Sequence, residues 1–211
     1  MRKLKLKVSV SLDGFVSGPN GEADWVFKYL DEESAAWALD MIWQAGLHIM
    51  GSKTFHDMRS YWPTSDEAFA APMNEIPKAV FTRKGVIELT REELTSRSLN
   101  DARRVQEKTT TVTSHMNTWT APSVLNGNDL VGEINKLKQQ PGKDIMAHGG
   151  GTFLQSLVQA GLVDEYLLLI YPVVLGKGLP IFSKLTKPMD LRLVETKSFP
   201  KGIIACIYLL A

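Results

Sequence analysis

Three consecutive glycines, Gly149 to Gly151, stand between a short apolar run and a helical pattern. The run 145–147 is short enough for a buried strand, and Thr152 and Gln155 have the spacing of a capping box at a helix start. Because glycines leave backbone amides uncovered, these amides and the positive end of the helix dipole can face an anion such as a pyrophosphate. A tight turn without a ligand explains the same spacing equally well.

Two adjacent cations, Arg83 and Lys84, follow the strand-like run 79–82. A phosphate dianion is best held by charge-assisted hydrogen bonds, and neighbouring cations at a strand end provide them. On spacing alone, a solvated surface loop is the commoner explanation for such a pair. The near match to a triphosphate-binding loop between Gly46 and Thr54 is rejected, because Ser52 interrupts it before Lys53.

Composition excludes several classes of function. The chain has 211 residues, 44% of them hydrophobic, and a net charge of +1, so no global charge attracts nucleic acid or an acidic membrane surface. The single Cys206 excludes an internal disulfide and cysteine-rich zinc sites. No export signal is visible, and no apolar run reaches the roughly 18 residues of a membrane span. We therefore expect a cytoplasmic protein that binds neither membrane nor nucleic acid.

The elements that must position these residues alternate between strands and helices. Strands are predicted over 3–11, 47–50, 79–82, 121–125, 145–147 and 165–171, with a C-terminal hairpin of 191–197 and 203–210. Helices are predicted to begin near Asp31, at Ser52 or Thr54, at Asn128 or Asp129, and at Thr152, with Lys138 facing solvent. Residues 12–30 are expected to be a long ordered loop. The polar stretch 85–118, with an edge strand over 109–113, is expected to be an insertion in one domain, 1–211.

Six motifs occur in an order that resembles the dihydrofolate reductase-like superfamily, in the branch of the reductase domain of bacterial riboflavin biosynthesis (the RibD C-terminal domain). They are Ser11-Leu-Asp-Gly14, Gly51-Ser-Lys-Thr54, Phe81-Thr-Arg-Lys84, His148-Gly-Gly-Gly151, Val163-Asp-Glu-Tyr166 and Pro172-Val-Val-Leu-Gly176. The resemblance covers most of the chain outside the insertion. It implies an α/β three-layer sandwich, with a mixed, mainly parallel sheet of about eight strands and an antiparallel C-terminal hairpin.

The resemblance also implies that NADPH lies across the strand ends. The pyrophosphate would be held by Gly149, Gly150, Gly151, Thr152 and Phe153, and this superfamily often has a cis peptide where Gly149 meets Gly150. Lys53 and Thr54 would meet the phosphates. Thr82, Arg83 and Lys84 would surround the adenosine 2′-phosphate.

The nicotinamide end follows from the same resemblance. Ser9, Val10 and Asp13 would lie near the ring, and the loop from Gly14 to Trp25 would close over it as a lid that expels water. Asp13 is a candidate proton donor, although an Asp-Gly pair is also typical of a simple turn. The branch implies a homodimer.

The expected activity is an NADPH-dependent reductase acting on a small heterocyclic or carbonyl/imine substrate, similar to 5-amino-6-(5-phosphoribosylamino)uracil reductase. Arg59 and Lys177 are candidate contacts for a substrate phosphate. Dihydrofolate reduction is an alternative, but Ser34 stands where that family has its acid, and the neighbouring Glu33 points about 100° away on a helix. A non-catalytic NADP-binding or dimerisation module is the other alternative. His148 is expected to be structural rather than a metal ligand.

Overall fold

The computed structural model of the chain describes residues 1–85, 87 and 118–211. The predicted insertion at about 85–118, with its edge strand over 109–113, therefore lies almost entirely outside the described residues. Within the described part of the chain, no helix is long and apolar enough to cross a membrane.

The described residues form ten strands and six α-helices, with a short 3-10 turn at Trp62–Thr64. The strands are β1 (Leu4–Ser11), β2 (Phe15–Ser17), β3 (Ala45–Gly51), β4 (Lys78–Thr82), β5 (Ser123–Asn126), β6 (Asp144–Ala147), β7 (Glu165–Tyr171), β8 (Leu179–Pro180), β9 (Leu191–Ser198) and β10 (Ile204–Leu210). The helices are α1 (Trp25–Tyr29), α2 (Glu32–Trp43), α3 (Ser52–Tyr61), α4 (Ala70–Glu75), α5 (Leu130–Gln139) and α6 (Gly151–Gln159).

Eight strands form one sheet in the order β5-β4-β3-β6-β1-β7-β10-β9. All neighbours from β5 to β7 pair in parallel, whereas β10 runs antiparallel to both β7 and β9. The prediction of a mainly parallel eight-stranded sheet with an antiparallel C-terminal hairpin is confirmed. A second, two-stranded sheet joins β2 to β8.

Helices cover both faces of the large sheet, which makes the predicted three layers. On one face, alternate residues of β1 such as Leu4 and Leu6 pack with Ile134 of α5 and Leu157 of α6, all fully buried. On the other face, α2, α3 and α4 cover two separate apolar clusters. Since side chains alternate along a strand, the second set of β1 residues faces these clusters.

That second set in β1 is polar: Lys5, Lys7, Ser9 and Ser11. Lys5 forms ion pairs with Asp144 at 3.4 Å and with Glu165 at 3.3 Å, at the end of the sheet where β1 begins. Lys7 and Ser9 lie further along the strand, toward its carboxyl end. A line of polar side chains therefore runs along the central strand, between two apolar clusters.

The long loop predicted over residues 12–30 is wrong, because the segment contains β2 and α1. β2 is held by tertiary pairing, with Phe15 opposite Pro180 and Ser17 opposite Leu179. α1 begins without a side-chain cap and is anchored by Trp25, whose buried ring packs edge-on against Tyr171 at 5.2 Å. Elements of three and five residues are too short for periodicity to show in the sequence.

Two predicted helix caps are also wrong. α6 begins after Gly150, which has no side chain to cap it, and Gln155 instead donates to the carbonyl oxygen of Pro180 at 2.6 Å. α3 begins after Gly51, also without a side-chain cap from Ser52 or Thr54. The Gln155 side chain is thus bonded to a distant part of the chain and does not cap α6.

At α5, by contrast, Asp129 caps the helix as predicted by accepting from the Gly132 amide at 3.0 Å. The prediction that Lys138 faces solvent is wrong. Its ammonium is buried, donates to the Leu162 carbonyl oxygen at 2.7 Å and pairs with Asp164 at 2.6 Å. Helical spacing puts Lys138 on the solvent-facing side, but its hydrogen bond and ion pair hold the side chain in a buried position.

Candidate functional site

The parallel strands bring the predicted site residues to one edge of the sheet. Parallel neighbours end at the same edge, and ligands of open α/β sheets bind outside the carboxyl ends of the strands. β1 ends before Asp13, β3 before Lys53, β4 before Arg83 and β6 before Gly149. The four segments that the resemblance assigns to NADPH therefore share this edge.

The glycine turn presents free backbone amides. Gly149 and Gly150 have φ values of 49° and 60°, a left-handed conformation that glycine adopts without strain. The Gly149–Gly150 peptide is trans, so the cis peptide implied by the resemblance is wrong. Among the described residues, no acceptor bonds the amides of residues 149–152, and Gly150 and Thr152 are exposed. Unpaired amides at a helix start can bind an anion.

Thr54 of α3 fits closely against this turn. A Cβ atom at Gly149 would lie 2.6 Å from Thr54 Cγ2, and one at Gly150 would collide with Thr54 Oγ1. Thr54 is buried, whereas Lys53 is exposed and pairs with Asp57 of its own helix at 3.0 Å. The turn is thus packed on its inner side and open on its outer side.

The segment after β4 lies beside the start of α6. Phe81 and Phe153 pack with ring centroids 5.3 Å apart, which fixes the end of β4 next to the glycine turn. The buried Thr82 accepts a hydrogen bond at its hydroxyl from the Lys84 amide at 3.1 Å. Arg83 and Lys84 are exposed. These cations are therefore available to an anion at the strand ends.

Asp13 is tied into a neighbouring loop. Its carboxylate accepts from the Ser11 hydroxyl at 2.6 Å, from the Gly176 amide at 2.7 Å and from the Leu175 amide at 3.1 Å. The Ser11 hydrogen bond, followed by the two amides, lowers the pKa of Asp13. A carboxylate with a lowered pKa holds amides well and donates a proton poorly. The geometry thus gives Asp13 a positioning role.

The remaining predicted residues divide between the two faces of β1. Ser9 lies on the face of Tyr171, whose pKa is raised by burial while a hydrogen bond with Ser9 opposes that shift. Val10 points to the opposite face and is buried in the core. Gly14 adopts a φ of 84° and donates its amide to the Ser11 carbonyl oxygen at 2.9 Å. The predicted turn at this point is confirmed.

α2 supplies no carboxylate to this region. Ser34 is fully buried and completes a capping box with Asp31, the Ser34 amide donating to the Asp31 carboxylate at 2.8 Å. The Asp31 amide donates to the Ser34 hydroxyl at 3.0 Å in return. Glu33 is exposed on the same helix. The position of the dihydrofolate reductase acid is therefore occupied by a residue that holds the helix start.

Sequence reasoning missed a group of basic residues on the Ser9 face of the sheet. Leu6 pairs with Ala147, which sets Lys7 beside His148, and the rings of His148 and His48 pack with centroids 4.3 Å apart. Burial lowers the pKa of Lys7 to about 8. Burial, followed by the charges of Lys7 and Lys78, lowers the pKa of His148 to about 3. The available signal was the alternation of β1, which puts Lys7 on the same face as Ser9.

Hydrogen bonding of the two imidazoles is incomplete. Both ring nitrogens of His48 and Nε2 of His148 are buried without a hydrogen-bond partner. The pKa of His48 is lowered well below its usual value, by burial first and then by the charges of His148, Lys78 and Lys7. Within the described residues, no three potential metal-binding side chains are grouped. The pair is therefore neutral and polar at physiological pH.

A family model described as the RibD C-terminal domain matches residues 2–205. The chain belongs to the RibD C-terminal domain family. Its relative YyaP of Bacillus subtilis (strain 168), an uncharacterized protein, is 30% identical over 208 residues, covering 98% of this chain and 94% of that protein. A second Bacillus subtilis protein, YwjB, is 26% identical over 202 residues, which cover 96% of this chain and 95% of that protein.

Solved structures of the same fold include two reductase-related proteins. A pyrimidine reductase-like protein from Corynebacterium diphtheriae matches with a TM-score of 0.65 and 14% identity, covering 100% of this RibD C-terminal domain and 92% of that chain. A diaminohydroxyphosphoribosylaminopyrimidine deaminase/5-amino-6-(5-phosphoribosylamino)uracil reductase from Thermotoga maritima matches with a TM-score of 0.66 and 14% identity. That match covers 100% of this chain and 57% of the other. The dihydrofolate reductase-like fold is thereby confirmed.

Proposed function

We propose that this chain is an NADPH-dependent reductase of a small heterocyclic or carbonyl/imine substrate. The observation that carries the proposal is the glycine turn, where the amides of residues 149–152 have no acceptor among the described residues and point out from the start of a helix. The family and the fold support a reductase, since the Thermotoga maritima neighbour is a deaminase/reductase by name.

The residues present fit a phosphorylated dinucleotide. Gly149 and Gly150 have no Cβ atom, so their backbone packs directly against Thr54 while the outer side of the turn stays open to a ligand. Gly151, Thr152 and Phe153 would complete the pyrophosphate cradle at the start of α6. Thr54 backs the turn from α3, and Lys53 lies one residue before it.

The adenosine end would lie over the loop after β4. Arg83 and Lys84 are exposed there. The Thr82 hydroxyl orders the loop by accepting a hydrogen bond from the Lys84 amide. An adenosine 2′-phosphate is a dianion, and two exposed cations give it charge-assisted hydrogen bonds that the plain hydroxyl of NADH does not receive. The chain should therefore prefer NADPH.

The bound cofactor supplies the hydride. The chain orients the cofactor and the substrate, shields them from water and supplies the proton. Trp25, at the end of the predicted lid, packs on Tyr171, which hydrogen-bonds with Ser9, and Asp13, just before the lid, fixes residues 175–176. We assign the proton to Lys7 rather than Asp13. Lys7 has a pKa of about 8 and no hydrogen-bond partner among the described residues, so its ammonium is a competent acid near neutral pH.

Three uses of the same fold are distinguished by experiment. Melting curves with NADPH and NADH test cofactor binding, because a ligand selective for the folded state raises its stability. Loss of absorbance at 340 nm is then followed with pterins, flavin precursors, quinones and aldehydes. The proposal predicts oxidation of NADPH with at least one class. Tight NADPH binding without oxidation by any acceptor would instead establish a non-catalytic module, and turnover with dihydrofolate alone would establish dihydrofolate reduction.

A cytoplasmic homodimer remains our expectation for the assembled protein. β9 is an edge strand whose Leu193 and Val194 are exposed, and Ile204 of β10 is exposed beside it. Exposed apolar edges favour pairing with another chain. Sedimentation velocity of the purified chain tests the dimer, and a single monomer peak at micromolar concentration would refute it.

A further inference from the structure

The buried imidazole pair lies outside the set of residues proposed to hold the dinucleotide. His48 lies on β3 and His148 at the end of β6, with exposed fractions of 0% and 6%. Their neighbours on the same sheet face are apolar, namely Met50, Met146 and Val80. Apolar side chains would fill this position without an energetic cost of this kind, since burying a polar group without a hydrogen-bond partner is unfavourable. Two imidazoles with unpartnered buried nitrogens at one place are thus not explained by folding alone.

The strand register fixes what lies beside the pair. Lys7 is the neighbour of His148 across the β1–β6 pairing, and Ser9 is two residues further toward the strand ends. Lys7 is half-buried and lies between His148 and Ser9, so a ligand that approaches the His148 ring from the side of Ser9 has to displace the Lys7 side chain. His48 lies on the far side of His148, against Lys78. The order along the sheet face is thus Lys7, His148, His48 and Lys78.

The charge around the pair decides what it binds. Among the described residues, the side chains whose charges act on both imidazoles are Lys7 and Lys78, and both are basic, although burial lowers the pKa of Lys78 to about 7. Cations disfavour a metal ion or a protonated heterocycle and favour an electron-rich oxygen. His148 itself is neutral because its pKa is about 3, so one of its ring nitrogens carries a hydrogen that can be donated without leaving the ring.

We propose that His148 is a specificity-determining residue that donates a hydrogen bond from Nε2 to the carbonyl oxygen of the substrate, with His48 as a positioning residue behind it. The substrate class is then a conjugated carbonyl acceptor, such as a quinone or an enone. This inference rests on the proposed reductase function and adds the identity of the group that the site recognises. It distinguishes the chain from a reductase of cationic heterocycles, which needs a carboxylate.

The electron balance is consistent with this arrangement. A hydride from NADPH forms a new C–H bond at the conjugated carbon of the acceptor, and the π-electron pair moves onto the carbonyl oxygen. The acceptor is reduced by two electrons while NADPH becomes NADP⁺. The Lys7 ammonium then gives its proton to that oxygen and regains one from solvent. Donors aimed at a developing oxyanion stabilise the transition state more than the ground state.

The test compares His148→Leu and His148→Gln with the control Met146→Leu, which changes a buried residue on the same face of the same strand. With menadione as acceptor, H148L should lower kcat/KM by on the order of a hundredfold, whereas H148Q keeps a donor and should lose less. NADPH affinity should be unchanged in all three. His48→Leu should lose less than H148L, and the H48L/H148L double variant should be no worse than H148L, since His48 acts through His148.

A second readout does not depend on turnover. Menadione is titrated into the chain labelled with ¹⁵N-histidine, and the proposal predicts a shift of the His148 Nε2 resonance, absent in H148Q. Equal kcat/KM in H148L and M146L, or an unmoved His148 resonance at saturating menadione, overturns the inference while NADPH binding and turnover persist. If no acceptor oxidises NADPH, the proposed function fails, and the titration alone then decides for or against the carbonyl site.

Discussion

The carboxylate of Asp13 accepts a hydrogen bond from the backbone amide of Gly176 at 2.7 Å, which ties the turn after β1 to a loop 163 positions away in the chain. Asp13→Ala removes this tie together with those to Leu175 and Ser11. We expect kcat/KM to fall by on the order of a hundredfold, because the catalytic geometry tolerates little displacement.

Hydrogen exchange should show faster exchange of the Leu175 and Gly176 amides in D13A. The matched control is Asp24→Ala, an exposed carboxylate at the start of α1 that caps no helix amide. Unchanged exchange and unchanged kcat/KM in D13A would show that the contact does not position the site.

Lys7 should lower the free energy of unfolding, although it is the proposed proton donor. Burial lowers its pKa from 10.5 to about 8, so the folded state disfavours the charged form. At neutral pH this corresponds to about 3 kcal/mol of lost stability, and that cost disappears as pH rises from about 8 toward 10.5. Lys7→Met should therefore raise the free energy of unfolding at pH 7 by up to about 3 kcal/mol and abolish turnover.

Urea unfolding at pH 7 and at pH 10 measures the effect of K7M. The stabilisation should shrink at the higher pH. The exposed Lys136→Met serves as control and should change the free energy of unfolding little. A destabilised K7M variant would contradict the predicted cost of burying Lys7. Full activity of K7M would contradict its role in the reaction.

The glycine turn makes a prediction with an internal control. Gly150→Ala places a methyl group against Thr54 at a φ of 60°, whereas Gly161→Ala, at a φ of 63°, meets nothing within 4 Å. Both variants should lose about 1 kcal/mol from the left-handed conformation. Only G150A should lose NADPH affinity, because its added side chain distorts the cradle. Equal NADPH affinity in the two variants, measured by calorimetry, would show that the turn does not contribute to NADPH binding.

Acid should destabilise the chain through the imidazole pair. The folded pKa of His148 is about 3 and that of His48 is also lowered, so between the unfolded value of 6.5 and pH 3 the unfolded state binds protons that the folded state does not. Stability is thus present above pH 6.5 and is lost as pH falls, by about 2 kcal/mol for His148 at pH 5, and His48 adds a loss in the same direction.

The H48L/H148L variant tests this dependence. The difference in its free energy of unfolding between pH 7 and pH 5 should be smaller than in the wild type by at least about 2 kcal/mol, the contribution of His148 alone. Met50→Leu, on the same sheet face, should keep the wild-type dependence. The same pH dependence in the double variant and the wild type would mean that the pair is not buried in its neutral form.

Local patterns predicted much of the fold. The alternation in β1, the apolar run of β7 and the proline and glycine turn between β9 and β10 are each set by neighbouring residues, and all three elements form as predicted. The glycine turn before α6 was likewise visible, since three glycines have few other uses. β2 and α1 were not, because contacts with β8 and Tyr171 stabilise them.

The alternation of β1 places Lys7 on the Ser9 face, but local pattern could not predict that Lys7 meets two histidines there. Lys7, His48 and His148 are far apart in the chain, and they meet only because β6 pairs with both β1 and β3 in a particular register. A shift of one residue in either pairing would turn these side chains to the other face. The same limit explains Gln155, whose spacing fits a cap but whose partner, Pro180, is 25 residues away.

Binding of the phosphorylated cofactor tests the central claim most directly. Isothermal titration should give a dissociation constant for NADPH at least about tenfold lower than that for NADH, since charge-assisted contacts from Arg83 and Lys84 act only on the 2′-phosphate. Arg83→Ala/Lys84→Ala should weaken NADPH and leave NADH unchanged. Equal affinities in the wild type, or no heat with either dinucleotide, would contradict the assignment of this edge of the sheet to NADPH.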